Sequence, residues 1–259
     1  MARIFITGSA DGLGMMAARL LVSDGHQVVL HGRNEKRAND ALTAVPGAET
    51  AVSGDLSDIK ETINLAEKVN NLGYFDAVIH NAAVGYQEPR IITKSGLPHV
   101  FAINSLAPYL LTCLINRPKR LIYISSGLHN EGDASLKDLA WKNRPWNGFN
   151  AYSDSKLHNV ILAFTVARRW ADVYANALEP GWVATKMGGS TAPDSLAEAP
   201  VTQACVECRR RHVACDENRP CSRCEGRHVQ CVDQPINSYT SFGMKMMLRS
   251  EMEVVRWRL

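Results

Sequence analysis

The first 190 residues alternate short apolar runs with longer amphipathic stretches. The short runs are rich in β-branched side chains and predict strands at residues 3–7, 27–31, 49–53, 75–80, 119–125 and 173–178. The stretches between them have helical periodicity and predict helices at residues 13–23, 35–44, 58–71, 96–116 and 151–170. Strands that alternate with helices form βαβ units, so the pattern predicts an α/β fold with a parallel sheet covered on both faces.

A glycine-rich segment follows the first predicted strand and leads directly into the first predicted helix. It runs Thr7-Gly8-Ser9-Ala10-Asp11-Gly12-Leu13-Gly14. Glycine lets a backbone turn tightly and approach a ligand, and a helix N-terminus presents free N–H groups to negative charge. The position between strand and helix predicts a dinucleotide site, with a plain structural turn as the alternative.

The second predicted strand ends in His31-Gly32-Arg33-Asn34, without the acidic residue that would bind the ribose 2′-hydroxyl of NAD. Arg33, with Arg37 close by, suits a 2′-phosphate instead. We therefore expect NADP, with NAD less favoured. The alternative is that Arg33 is a solvated side chain at a strand end.

Tyr152 and Lys156 lie four residues apart on the last predicted helix, so their side chains share one face. A nearby ammonium favours a phenolate, so we expect Lys156 to lower the pKa of Tyr152 from about 10 toward the range of a general acid or base. Ser125-Ser126, at the end of the preceding strand, can supply a hydroxyl that orients a carbonyl substrate.

Together these features resemble the short-chain dehydrogenase/reductase family over residues 1–189, and therefore a Rossmann-like sheet. The segments SSGLH and AYSDSKLHNV are most similar to its retinol-dehydrogenase-like and WW-domain-oxidoreductase-like branch. Further matches are Asp55-Leu56, the helix residue Asn104, and Asn81-Ala82-Ala83, in which Ala83 stands where the family has glycine. Pro180-Gly181, followed by Val183 and Thr185, matches the loop that binds the nicotinamide amide.

The resemblance implies a hydride transfer between nicotinamide and a carbonyl or alcohol carbon. It assigns proton transfer to Tyr152, support of that tyrosine to Lys156, substrate orientation to Ser126 and a water relay to Asn104. The implied cofactor-binding residues are Thr7, Gly8, Ser9, Asp11, Gly12, Leu13, Gly14, Arg33, Asp55, Leu56, Asn81, Ala82, Tyr152, Lys156, Pro180, Gly181, Val183 and Thr185. The aromatic residues Trp141, Trp146 and Phe149 either line an apolar substrate pocket or cap a loop against the core.

Six of the seven cysteines crowd into one short segment with the spacing C-x2-C-x6-C-x5-C-x2-C-x6-C. Six thiolates complete two tetrahedral zinc sites only if two of them bridge, which predicts a binuclear cluster. Disulfides are the alternative interpretation. They are disfavoured because they seldom persist in an intracellular enzyme. The segment resembles the fungal-type Zn2Cys6 domain, which implies two zinc ions held by Cys205, Cys208, Cys215, Cys221, Cys224 and Cys231.

The Zn2Cys6 resemblance also implies contact with duplex DNA. Arg209-Arg210-Arg211 suits phosphates or guanines, although His212 and Ala214 stand where relatives usually carry basic residues. From Cys205 to Cys231 there are six arginines against four acidic residues, and thiolates with zinc bring the segment near neutrality. This is a weak electrostatic footprint for DNA, and the tail after it is too short for three coiled-coil heptads.

The chain therefore divides into a dinucleotide-binding domain (1–189), a linker (190–203), a Zn2Cys6 module (204–232) and a tail (233–259). Because the module arrives where the family adds a further helix and strand, we expect a sheet that lacks the last strand and helix. The net charge of +3 favours no partner, and the absence of a long apolar run or signal sequence predicts a nuclear or cytoplasmic protein that is neither membrane-spanning nor secreted.

Three functional hypotheses follow. The first is an NADP-dependent oxidoreductase that acts on an apolar carbonyl or alcohol and carries a zinc module. The second is a zinc-dependent transcription regulator whose Rossmann-like half is inactive or senses NADP(H). The third is a join of two partial domains in which neither function is complete. The full set of catalytic residues favours the first.

Overall fold

The computed structural model describes residues 1–193 and 245–246. Its six main strands are β1 (Arg3–Ile6), β2 (Gln27–Gly32), β3 (Thr50–Ser53), β4 (Ala77–His80), β5 (Arg120–Ile124) and β6 (Tyr174–Glu179). Its helices are α1 (Gly12–Ser23), α2 (Glu35–Ala44), α3 (Ile59–Asn71), α4 (His99–Phe101), α5 (Ala107–Leu114) and α6 (Gly148–Arg169).

The six strands form a parallel sheet in the order β3-β2-β1-β4-β5-β6. The chain runs outward from β1 to β3 and then returns to place β4 on the other side of β1. Ile4 is thus aligned with Val28 of β2 and with Ala77 of β4. This reversal of strand order opens a crevice at the carboxyl ends of β1 and β4, where ligands of such sheets bind. The predicted Rossmann-like α/β class is confirmed.

A short seventh strand, β7 (Lys245–Met246), adds to the β6 edge of the sheet. It runs antiparallel to β6 and aligns Met246 with Leu178 and Lys245 with Glu179. Beyond the six parallel strands, this edge therefore gains only a strand of two residues in the described part of the chain, which pairs with the carboxyl end of β6.

Apolar side chains alternate between the two faces of the sheet, so each strand contributes to two cores. Phe5 and Val29 point to one face, where they pack with α3, α5 and α6 through residues such as Leu65. Ile4 and Val28 point to the other face, which α1 and α2 cover. All five side chains are essentially inaccessible to solvent. Burial on both faces fixes the register of the central strands and hence the position of the loops that follow them.

The helix predicted at 96–116 is interrupted. Pro98 precedes its first residue, His99, and a π-helical turn (Ala102–Leu106) separates α4 from α5. Such turns widen a helix locally and often mark functional positions. The turn contains Asn104, whose side chain is fully buried.

The longest helix, α6, begins three residues before its predicted start at residue 151. The side chain of Asn147 caps it by accepting a hydrogen bond from the Asn150 N–H at 3.0 Å. Within residues 1–193, neither this helix nor any other combines the length and apolarity that crossing a bilayer requires.

Candidate functional site

A cleft of about 900 Å³ opens at the carboxyl ends of the parallel strands. It brings together residues that are far apart in the chain, from the glycine-rich loop to the segment after β6. The predicted site residues that line it are Gly8, Asp11, Gly12, Leu13, Gly14, Arg33, Asp55, Leu56, Asn81, Ala82, Tyr152, Lys156, Pro180 and Thr185.

The other predicted residues lie behind or beside this cleft. Thr7 and Ser9 are buried beneath the glycine-rich loop, and Val183 is buried beneath the segment after β6. Gly181 adopts a left-handed conformation with φ of +79° in that segment. Ser126 and Asn104 contact the lining residues through hydrogen bonds described below.

The glycine-rich loop approaches the segment after β4 so closely that side chains are excluded. A Cβ on Gly8 would lie 2.7 Å from the Cα of Ala82, and one on Gly14 would lie 2.4 Å from Nδ2 of Asn81. The Thr7 hydroxyl accepts hydrogen bonds from the N–H groups of Asn81 and Ala82, at 3.0 and 3.1 Å. Backbone therefore lines this part of the cleft, which leaves room for a bulky anionic group.

His31, at the end of β2, organises the loop from below. Its Nδ1 accepts a hydrogen bond from the Gly8 N–H at 3.0 Å, so Nε2 carries the proton and donates to the Gly54 carbonyl at 2.9 Å. Complete burial lowers the pKa of His31 to about 4, and the ring is neutral at physiological pH. No motif in the sequence marks this residue as functional, although a histidine within an otherwise apolar strand is a signal of such a role.

The part of the cleft beside β2 and α2 carries several cations around one carboxylate. Asp11 precedes α1 but makes no capping hydrogen bond with its side chain. It pairs instead with Arg37 at 2.6 Å and with Lys186, from the segment after β6, at 3.1 Å. Arg33 is exposed beside them. The first N–H groups of α1 are consequently available to an anion. Lys186 is a second residue that our sequence analysis did not single out.

Tyr152 and Lys156 lie on one face of α6, with the Lys156 ammonium 5.3 Å from the centre of the tyrosine ring. Burial raises the pKa of Tyr152 to about 12, although a hydrogen bond with Ser126 opposes this effect. The expectation that Lys156 lowers the pKa of Tyr152 is therefore wrong for this structure, because burial of the phenol has the largest effect on that pKa.

Lys156 is itself desolvated, and burial lowers its pKa to about 8. Its ammonium donates to the Ile124 carbonyl at 2.9 Å, the one hydrogen bond that it makes within residues 1–193. An ammonium has three donors, so the remaining N–H groups are available to the cleft that this side chain lines.

Asn104 connects the π-helical turn to α6 and to the segment after β4. Its amide nitrogen donates to the Val84 carbonyl and to the Ser155 hydroxyl, both at 3.0 Å, and its oxygen accepts from the Val84 N–H at 2.9 Å. In this structure the side chain therefore holds the cleft wall in place.

The three aromatic residues predicted either to line a substrate pocket or to cap a loop lie just before α6 or in its first turn. Trp141 is buried and packs edge-on against Trp146, so this pair caps its loop against the core. Arg144 lies 3.6 Å from the centre of the Trp141 ring and forms an ion pair with Asp154 of α6, which anchors the loop beside the site. Phe149, in contrast, is exposed at the start of α6.

The six clustered cysteines lie outside the described residues. Within residues 1–193, no group of three or more histidine, cysteine or acidic side chains is arranged to hold a metal ion. Cys113 in α5 is an exposed free thiol in this range.

Two family models match the chain. The short chain dehydrogenase model matches residues 2–128, and the fungal Zn(2)-Cys(6) binuclear cluster domain matches residues 203–240. Both resemblances drawn from the sequence are thereby confirmed, including the assignment of the cysteine-rich segment.

Curated relatives match a longer part of the chain than the short chain dehydrogenase model does. An uncharacterized oxidoreductase of Emericella nidulans is 50% identical over 200 residues, which cover 76% of either chain. The short-chain dehydrogenase chry4 of Gibberella zeae is 46% identical over 199 residues, with the same coverage. Human retinol dehydrogenase 14 is 31% identical over 212 residues, which are 71% of this chain and 62% of that protein.

Solved structures share the fold. A protein from Mycobacterium paratuberculosis superposes with a TM-score of 0.65 at 29% identity, covering 73% of this chain and 71% of its own. A metagenomic blue fluorescent protein, crystallised with NADPH, has a TM-score of 0.60 at 23% identity and covers 74% and 78%.

Replacing Gly8 by alanine tests the close approach of the two loops. Gly8 has φ of +64° and a blocked Cβ position, whereas Gly25 has φ of +79° and nothing within 4 Å of its Cβ position. We expect Gly25→Ala to lower the free energy of unfolding by about 1 kcal/mol through backbone strain alone. Gly8→Ala should cost more than about 3 kcal/mol, because a steric clash adds to the strain. Denaturant titration measures both, and equal losses would contradict the proposed contact.

Proposed function

Because this chain belongs to the short-chain dehydrogenase family, we propose that it is an NADP(H)-dependent oxidoreductase that interconverts a carbonyl and an alcohol. The observation that carries the proposal is the meeting of the glycine-rich loop with Tyr152 and Lys156 in one cleft. Such a cleft holds a dinucleotide along the loop and leaves the tyrosine beside its reactive end.

The chain's residues fit a dinucleotide in three respects. Gly8 and Gly14 let the glycine-rich loop pack against the segment after β4, and the first turn of α1 has free N–H groups for a pyrophosphate. Lys156 has unused ammonium donors in the cleft, which suit a ribose hydroxyl. Asp55 and Leu56 lie where an adenine would be flanked, at the end of β3.

A preference for NADP(H) follows from charge. Arg33 and Arg37 lie beside the glycine-rich loop, and a guanidinium binds a phosphate through paired hydrogen bonds. No acidic residue occupies the end of β2, where a carboxylate would favour the free 2′-hydroxyl of NAD. Arg37, which pairs with Asp11, would exchange that carboxylate for the phosphate.

The bound nicotinamide supplies or accepts the hydride, and the side chains handle the proton. In the reductive direction the Tyr152 hydroxyl, protonated because its pKa is raised, donates its proton to the substrate oxygen. Ser126, hydrogen-bonded to Tyr152, holds the same oxygen in place. The positive charge of Lys156 stabilises the phenolate that forms on Tyr152.

We also propose that residues 203–240 bind two zinc ions through the six clustered cysteines. Thiolates are the ligands that structural zinc prefers, and six of them with two C-x2-C pairs suit a binuclear cluster. The module would give the enzyme a second partner, duplex DNA, through Arg209, Arg210 and Arg211, and would place it in the nucleus.

Replacing Arg33 tests the preference for NADP(H). Removal of a guanidinium that binds a phosphate costs roughly tenfold to hundredfold in affinity. We expect Arg33→Ala to weaken NADPH binding by this factor and to change NADH binding by less than about twofold, as measured by nucleotide fluorescence. Arg168→Ala, an exposed arginine in the last turn of α6, is the matched control. An equal loss for both nucleotides would argue against a 2′-phosphate contact.

The second prediction concerns Tyr152 and Lys156. Tyr152→Phe should lower kcat for carbonyl reduction by about 10²-fold to 10⁴-fold, because the proton donor is lost. In the unsubstituted enzyme, kcat/KM for reduction should fall as the pH rises past 8. The pKa of Lys156 is lowered to about 8, so above this pH its charge no longer supports the phenolate. The residual rate of Lys156→Met should show no break near this pH, and a persistent break would assign it to another group.

The third prediction concerns the zinc module. Native mass spectrometry should find two zinc ions on the full chain, fewer on Cys208→Ser, and two on the control Cys113→Ser. A labelled CGG-containing duplex should bind less tightly to variants that hold fewer zinc ions, and its binding should weaken with added salt. Absence of zinc from the full chain would contradict the binuclear cluster. A zinc-loaded chain that does not bind the duplex at low salt would contradict the proposed DNA contact.

A further inference from the structure

The segment after β4 crosses closely over the start of α6. A Cβ on Gly148 would lie 2.6 Å from the Tyr86 carbonyl oxygen and 2.8 Å from the Glu88 carbonyl oxygen. Any side chain at this position would push the segment away from the helix. Gly148 therefore allows residues 86–88 to lie directly against the turn of α6 that leads to Tyr152.

Two side chains fix this segment at Glu88. Its carboxylate accepts a hydrogen bond from Nδ1 of His99 at 2.8 Å, and its carbonyl accepts one from the Trp146 indole at 3.4 Å. His99 begins α4, and Trp146 packs edge-on against the buried Trp141. Because His99 and Trp146 both hold Glu88, the backbone of Tyr86, two residues earlier, has a defined position.

Tyr86 lies beside the proposed proton donor. Its ring is edge-on to that of Tyr152, with centres 6.1 Å apart, and edge-on to Phe149, with centres 6.3 Å apart. The Tyr86 hydroxyl is near enough to contribute to the raised pKa of Tyr152. Within residues 1–193 we find no hydrogen bond to that hydroxyl, and the side chain is half-buried. A phenol next to the reacting position thus has a polar end without a protein partner.

A thioether faces the same segment from the opposite loop. A Cβ on Gly85 would lie 3.0 Å from Cγ of Met187, which is partly exposed after β6. Met187 lines the cleft, and the ring of Tyr86 lies between those of Tyr152 and Phe149. Aromatic and sulfur groups of this kind favour contact with flat apolar ligands.

We propose that Tyr86 is a specificity-determining residue that selects aryl ketones with a second oxygen on the neighbouring carbon. Its ring forms a wall for the aryl group, and its hydroxyl donates a hydrogen bond to the second oxygen while Tyr152 serves the first. The inference rests on the proposed oxidoreductase function and names its substrate class, aryl 1,2-dicarbonyl compounds and their hydroxyketone products.

The reaction balances without further reactants. The reacting carbonyl carbon gains a hydride, NADPH is oxidised to NADP⁺, and the carbonyl oxygen gains the proton of Tyr152, which solvent replaces. The second oxygen keeps its bonds throughout, so Tyr86 contributes recognition and no proton.

The test compares NADPH oxidation with 1-phenylpropane-1,2-dione and with 1-phenylpropan-1-one, which lacks the second oxygen. Tyr86→Phe should lower kcat/KM for the dione about tenfold and for the mono-ketone less than about twofold. Comparing each variant with the unsubstituted enzyme cancels the different intrinsic reactivities of the two ketones. Tyr74→Phe, which removes an exposed phenol before β4 at the amino ends of the strands, is the matched control and should change neither value.

A second variant tests the aromatic wall. Tyr86→Leu should additionally lower the preference for 1-phenylpropane-1,2-dione over hexane-2,3-dione by about fivefold, because an aromatic contact is lost. Thermal melts of both variants should match that of the unsubstituted protein, which separates recognition from folding.

The outcomes separate the two proposals. The role of Tyr86 is overturned if the enzyme reduces these ketones and Tyr86→Phe lowers activity equally on the dione and the mono-ketone. It is also overturned if Tyr86→Phe lowers activity on neither ketone. Both results leave the oxidoreductase proposal standing. An enzyme that oxidises NADPH with none of the three compounds overturns the substrate class, and a chain that also fails to bind NADPH overturns both proposals.

Discussion

The site depends on one close contact, between the loop after β1 and the segment after β4. These strands are neighbours at the centre of the sheet, so their carboxyl ends emerge side by side. Gly8 permits the backbones to approach, and the Thr7 hydroxyl binds two N–H groups of the facing segment. This contact therefore holds two walls of the cleft together.

Local patterns in the sequence predict the scaffold well and the through-space contacts poorly. All six parallel strands and the motifs along their carboxyl ends follow from apolar periodicity and glycine placement, which depend on neighbouring residues. The π-helical turn around Asn104 and the aromatic contact of Tyr86 depend on residues distant in the chain, and no local pattern signals them. The antiparallel direction of β7 is equally invisible, because strand patterns do not encode the partner's direction.

Burial, rather than charge, governs the two ionisable groups on α6. A tyrosine four residues before a lysine suggests a stabilised phenolate, yet both side chains are withdrawn from water and each is shifted toward its neutral form. In this state Tyr152 is a proton donor, and Lys156 is close to losing its charge at physiological pH. The spacing in the sequence identifies the pair, but the depth of the helix face in the fold sets its protonation.

The Asp11 carboxylate joins Arg37 of α2 to Lys186 of the segment after β6 and so connects two segments of the cleft's rim. An anion that binds Arg37 has to displace this carboxylate, so one ion pair is exchanged for another and the net charge neutralised is small. Surface ion pairs of this kind are weak. Salt screens the pair of Arg37 with Asp11 and the pair of Arg37 with a bound anion to a similar degree. Affinity for a phosphate at this rim is consequently less sensitive to ionic strength than its three cations would suggest.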